Sequence, residues 1–131
     1  MENRIRDFRR GDVFLANLGE HDLGVNENHL QTGMRPIVIV QNDIGCHFAE
    51  TVTMVPLTAR LKKLRQPTHY VIQNASFLKK QSMVVAEQVA TINKHQVLGY
   101  LGRLSQTDMK GVDTALMTQL GFPIPECVDP P

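Results

Sequence analysis

Cysteine is scarce in this 131-residue chain, which has only Cys46 and Cys127. Two thiols do not make a disulfide framework, and in a reducing compartment they stay free. No Cys-x-x-Cys or His-x-x-x-His pair occurs, and the five histidines (His21, His29, His47, His69, His95) are scattered. Zinc ligation is therefore not expected, and no metal or cofactor is. Aromatic residues make up only 5%, too few for an extended base-stacking platform. Long apolar runs are missing as well: Ile37 to Val40 falls far short of the ~20 residues that cross a bilayer. The opening "MENRIRDFRRGD" has charge but no apolar stretch of the secretory kind, so the chain is expected to be cytosolic. Net charge is +1, and bulk charge therefore indicates no particular partner. No repeat or low-complexity linker divides the sequence, and its length and 42% hydrophobic content suit one globular domain over residues 1–131.

What is present is a series of short β-type segments and one helical one. "GDVFLANL" (Gly11 to Leu18) predicts a first strand, and "RPIVIVQND" a second, buried on both faces because its β-branched run is continuous. The loop between them, Gly19 to Met34, is rich in Gly, Asn and charge, and long loops of this kind tend to be functional. "GCHF" predicts a turn, and "TVTMVPLTA" (Thr51 to Ala59) a third strand with Pro56 at an edge or a bulge. "PTHYVIQ" predicts a fourth strand and "QSMVVAEQVATI" (Gln81 to Ile92) a long fifth. A short helical turn is expected at "NKHQVL" and a last strand at "GYLGRLS". Ser105 then caps a helix, with Asp108 three residues on as a variant capping box. Met109, Val112, Leu116 and Leu120 form its stripe, Met109 and Met117 are expected in the core, and Gly121 and Pro123 end it. Five to six strands and a closing helix describe a mainly β, α+β chain with a small curved sheet or partly open barrel.

One charge stands out. Arg35 sits at the lip of an apolar strand, where a charge is uncommon unless something pairs with it. A salt bridge or a solvated strand end is the plain explanation; an awaited anion, phosphate foremost, is the sharper one. Arg4, Arg6, Arg9 and Arg10 cluster at the start, and "RLKKLR" (Arg60 to Arg65) forms a compact basic loop. Such patches can track a phosphate backbone, or they are simply solvated loops.

The collinear blocks "GDVFLANL", "GMRPIVIVQND", "TVTMVPLTA", "PTHYVI" and "VVAEQVATINK" make the chain, from about Arg10 to Phe122, similar to the MazF/PemK family of bacterial toxins. The resemblance implies an SH3-like barrel of the MazF/PemK/CcdB type with a C-terminal helix, working as a homodimer. It further implies a metal-independent, sequence-specific endoribonuclease acting on single-stranded mRNA, and a cognate MazE-like antitoxin that occupies the same groove. The family's catalytic arginine falls on Arg35 and its catalytic threonine on Thr58. The glutamine before the arginine motif falls on Gln31, and the Gln-Asn-Asp after the strand on Gln41, Asn42 and Asp43. The segment "NHLQTGMRP", with His29, Leu30 and Thr32, departs from the family pattern, and the loop before it is longer.

These residue types suit the implied chemistry. In metal-free RNA cleavage a 2′-hydroxyl attacks its neighbouring phosphate, and negative charge builds on the non-bridging oxygens. A guanidinium meets that charge with a planar fork and stays protonated at any working pH, and the Thr58 hydroxyl can donate to the same phosphate. The proton acceptor is open: His29, Gln31 and His69 are candidates for acid/base work or RNA contact, each with a structural alternative. Gln41, Asn42, Lys62, Lys63, Arg65 and the loop aromatic Phe48 are candidate RNA contacts. Glu87, a carboxylate in an apolar segment, needs a partner, either Arg35 or another base. Two other classes remain open: a CcdB-like toxin that poisons a protein such as DNA gyrase, and a silent RNA- or antitoxin-binding module.

Overall fold

The computed structural model describes residues 7–19 and 32–124. In chain order the elements are β1 (Asp12–Asn17), β2 (Met34–Ile39), α1 (Asp43–Phe48), β3 (Thr51–Thr58), β4 (His69–Val71), β5 (Met83–Val85), β6 (Ala90–Asn93), β7 (Val97–Arg103) and α2 (Gln106–Leu120). Single 3₁₀ turns occupy Ala86–Gln88 and Lys94–Gln96. The seven strands form one antiparallel, barrel-like sheet in the order β4-β5-β3-β2-β1-β7, with β6 beside β3. No helix among the described residues is long and apolar enough to cross a membrane.

Period-two alternation divides the core between the two faces of the sheet. Val13, Val38, Val55 and Leu57 point to one face, where Val112, Ala115 and Leu116 of α2 cover them. Phe14, Ile37, Ile39, Val52 and Met54 point to the other, with Phe8 and Cys46. Because both faces are covered, the apolar run of β2 is continuous, and Ile37, Val38 and Ile39 are each 0% exposed. Burying one such side chain contributes about 1.5–3 kcal/mol.

The boundaries of α2 are those its caps predict. Ser105 Oγ accepts from Asp108 N at 3.0 Å, and Gly121, at φ 79°, ends the helix with Phe122 N donating to Met117 O at 2.9 Å. Asp108 does not complete a capping box. Its carboxylate is fully buried and accepts from Tyr70 Oη at 2.7 Å and from Gln73 N and Asn74 N at 2.9 Å each. Leu120 departs from the predicted stripe and is 57% exposed, while Met109 and Met117 are half-buried.

Three other expectations are corrected. "GCHF" is not a turn but part of α1, nucleated because Asn42 Oδ1 accepts from Gly45 N at 2.7 Å. Pro56 does not lie on an edge strand. It is opposite Ile37, where the other flank of β3 changes partner from β6, ending at Met54, to β5, starting at Leu57. A residue without an N–H is tolerated at that interruption. The long fifth strand is two strands, β5 and β6, broken by the 3₁₀ turn, where Ala86 N donates to Thr68 O at 2.9 Å and Val89 N to Ala86 O at 3.1 Å.

The helix also rests on a close approach. A methyl group on Gly111 would overlap the Tyr70 ring, and that ring is held in place through its hydroxyl on Asp108. Alanine favours a helix over glycine by about 1 kcal/mol, but overpacking costs about 1–3 kcal/mol. Gly111→Ala is therefore expected to lower the urea midpoint; a raised midpoint would contradict the packing.

Candidate active site

Arg35 emerges where β2 leaves the core. Its side chain is exposed, and its one hydrogen bond among the described residues runs from Nε to Thr32 O at 2.9 Å. Both ends of the preceding loop close on glycines with positive φ, Gly19 at 90° and Gly33 at 74°; Gly33 N donates to Gly19 O at 2.6 Å and Leu18 N to Gly33 O at 2.9 Å. On the β1 side Arg35 lies opposite Ala16, whose methyl group leaves the guanidinium room.

β2 and β3 pair Ile37 with Pro56, Val38 with Val55 and Ile39 with Met54. The ladder ends at Ile37–Pro56; carried on by two residues, it would set Arg35 opposite Thr58, on the same face as Ile37. Thr58 is half-buried at the end of β3, and its Oγ1 accepts from Arg60 N at 3.1 Å. One lone pair is thus occupied, which leaves the O–H to donate. The basic loop starts two residues on, and Arg60, Lys62, Lys63 and Arg65 are all exposed.

Not every candidate joins this group. Gln41 and Asn42 follow the far end of β2, and six residues of extended chain separate Gln41 from Arg35 by about 20 Å. Both are engaged within the fold: Gln41 Oε1 accepts from Thr53 N at 3.0 Å, and Asn42 caps α1. Asp43 accepts from Arg10 N at 2.8 Å. Phe48 is on α1 at that same end, 78% exposed, with its ring edge-to-face against His47. His29 and Gln31 lie outside the described residues, as do Arg4, Arg6 and Cys127.

His69 is 8% exposed, and both ring nitrogens are engaged, Nδ1 with Lys63 O at 3.1 Å and Nε2 with Glu87 Oε2 at 2.8 Å. Glu87 therefore pairs with His69 rather than with Arg35, and also accepts from Thr68 Oγ1 at 2.8 Å. Burial by itself pushes the Glu87 carboxyl up, but the bonds from His69 and Thr68 outweigh it and the net shift is downward. No spacing in the chain announces this pairing, since its members are 18 residues apart. Cys46 offers no nucleophile, because burial, followed by the nearby Asp43 charge, pushes its thiol up.

A model of the PemK-like, MazF-like toxins of type II toxin–antitoxin systems matches residues 9–120. The Endoribonuclease MazF of Staphylococcus saprophyticus subsp. saprophyticus is 39% identical over 115 residues, which are 87% of this chain and 92% of that protein. An endoribonuclease structure from a mycobacterial species superposes with a TM-score of 0.74 at 25% identity, covering 94% of this chain and all (100%) of that one. A second mycobacterial structure, an endoribonuclease in complex with its cognate antitoxin, gives a TM-score of 0.70 at 29% identity over 89% of this chain and 98% of that one.

Proposed function

The chain belongs to the PemK-like, MazF-like toxins of type II toxin–antitoxin systems and is an endoribonuclease of that family; from this premise we propose that it cleaves single-stranded mRNA through Arg35 and Thr58 without a metal ion. The observation that supports this reading is the β2–β3 register, which, extended two residues past Ile37–Pro56, would set Arg35 opposite Thr58 at an exposed sheet end beside a basic loop.

In the proposed reaction a ribose 2′-hydroxyl attacks the adjacent phosphorus and the 5′-oxygen leaves, giving a 2′,3′-cyclic phosphate and a 5′-hydroxyl. The Arg35 guanidinium binds the non-bridging oxygens as they gain charge. Thr58, already accepting from the Arg60 N–H, turns its own proton to the same phosphate. Lys62, Lys63 and Arg65 receive the flanking backbone. His69 is too enclosed to serve as the base, its two nitrogens being committed elsewhere. A cognate antitoxin is the natural regulator, as in the mycobacterial complex. A homodimer and a cytoplasmic site of action complete the reading.

The test is incubation of the purified chain with a long unstructured RNA and a chelator. Cleavage to cyclic-phosphate ends is expected. Thr58→Val removes one hydrogen bond to a charged group, worth about 1.5–3 kcal/mol, and should slow cleavage about 10- to 100-fold, whereas Thr58→Ser retains most of the rate. Intact RNA with folded protein overturns the proposal.

A further inference from the structure

We propose that His69 is a positioning residue for RNA binding, tethering the basic loop between Thr58 and β4 to Glu87 so that Lys62, Lys63 and Arg65 are held ready for the phosphate backbone; this rests on the endoribonuclease reading above.

The hydrogen bonds dictate the protons. Lys63 O only accepts, and so does an ionised carboxylate. With Nδ1 on Lys63 O and Nε2 on Glu87 Oε2, the ring satisfies both only by donating from both nitrogens. A neutral imidazole forfeits one contact. The hydrogen bonds from His69 and Thr68 hold the Glu87 carboxyl below its usual range although burial alone would raise it.

The loop end is built around that pair. Gln66 Nε2 donates to Thr68 Oγ1 at 2.9 Å, and Thr68 Oγ1 donates to Glu87 Oε1 at 2.8 Å. Lys63 has a φ of 54°, a strained conformation for a residue with a side chain, which persists only where its surroundings over-determine it. Here its carbonyl takes two donors, Gln66 N at 2.9 Å and His69 Nδ1 at 3.1 Å. A tethered loop, moreover, loses less freedom when RNA binds.

The experiment is a double-mutant cycle read by fluorescence anisotropy on a single-stranded oligoribonucleotide, in the Arg35→Ala chain so that the RNA stays intact. His69→Gln keeps a donor for Glu87 and drops the one on Lys63 O. It should raise Kd by up to about tenfold, the upper end of what one hydrogen bond to a neutral carbonyl contributes. Lys62→Ala, Lys63→Ala and Arg65→Ala together should flatten the slope of log K against log salt by about 2, at about 0.7 per phosphate contact. With those three lysine and arginine charges removed, His69→Gln should no longer change Kd. An equal rise in both backgrounds makes His69 merely structural and overturns the proposal, as does an unchanged Kd in the first. If His69→Gln does not fold, Glu87→Ala, which leaves the His69 ring without its acceptor, reads the same cycle. Cleavage by the unmodified chain is measured alongside; no cleavage there sinks the endoribonuclease reading itself.

Discussion

Arg35→Ala is expected to lower the rate of RNA cleavage by about 10²–10³-fold, the usual cost of removing one preorganised donor from a site where negative charge develops. The fold should scarcely respond. Arg35 is exposed, and its bond to Thr32 O joins two residues of the same loop end, so the stability change should stay within about 0.5 kcal/mol. Arg35→Lys should recover little, because an ammonium is a point charge and cannot grip two phosphate oxygens in a plane. Single-turnover kinetics decides the matter: the loss should fall on the chemical step, with RNA affinity reduced much less. A folded Arg35→Ala chain cutting at the parental rate would remove Arg35 from the site.

Asp108→Ala should have the largest effect on stability, about 3–5 kcal/mol in urea unfolding, out of a total of about 5–15 kcal/mol for a domain of this kind. The carboxylate is 0% exposed and accepts from the Tyr70 hydroxyl and two backbone N–H groups. Removing it takes the shared acceptor from three donors that converge on a fully buried position, and a donor left unsatisfied there costs about 1–3 kcal/mol. It also takes a negative charge from the first turn of α2, where the helix dipole favours one. A loss below about 1 kcal/mol would show that water replaces the carboxylate.

The same site makes a pH-dependent contribution. Burial first, and then the bond to Asp108, push the Tyr70 phenol far above its ordinary value of 10. A raised folded pKa means the stabilisation is complete below the ordinary value and is lost as pH rises through the folded one. Tyrosinate absorbance should therefore have a late alkaline component, and Tyr70→Phe should abolish it.

Much of the fold was legible because its signals are local. The ends of α2 follow from Ser105 and Gly121, a cap and a left-handed stop that act within one turn. That β2 is a strand buried on both faces follows from its β-branched run, though it ends at Ile39 rather than at Asp43, which starts α1; the five motif blocks point to the toxin family without any coordinates. Other features escaped because their causes lie far along the chain. The break after Val85 depends on Thr68 O taking the Ala86 N–H, and Pro56 is accommodated only because β6 and β5 succeed each other beside β3. The α1 helix is six residues long, too short for periodicity to reveal.

What the chain determined by itself was chemistry and punctuation: a guanidinium, a hydroxyl, a basic loop, and the residues that start and stop each element. Which of these meet was left to the tertiary structure. The antiparallel register of β2 on β3 runs toward Arg35 and Thr58 at one end and holds Gln41 and Asn42 a strand's length away at the other, while the return of β4 beside β5 delivers His69 to Glu87. The physical reason is that capping and turn formation depend on a handful of neighbouring residues, whereas pairing across a sheet depends on the alignment of every residue in both strands.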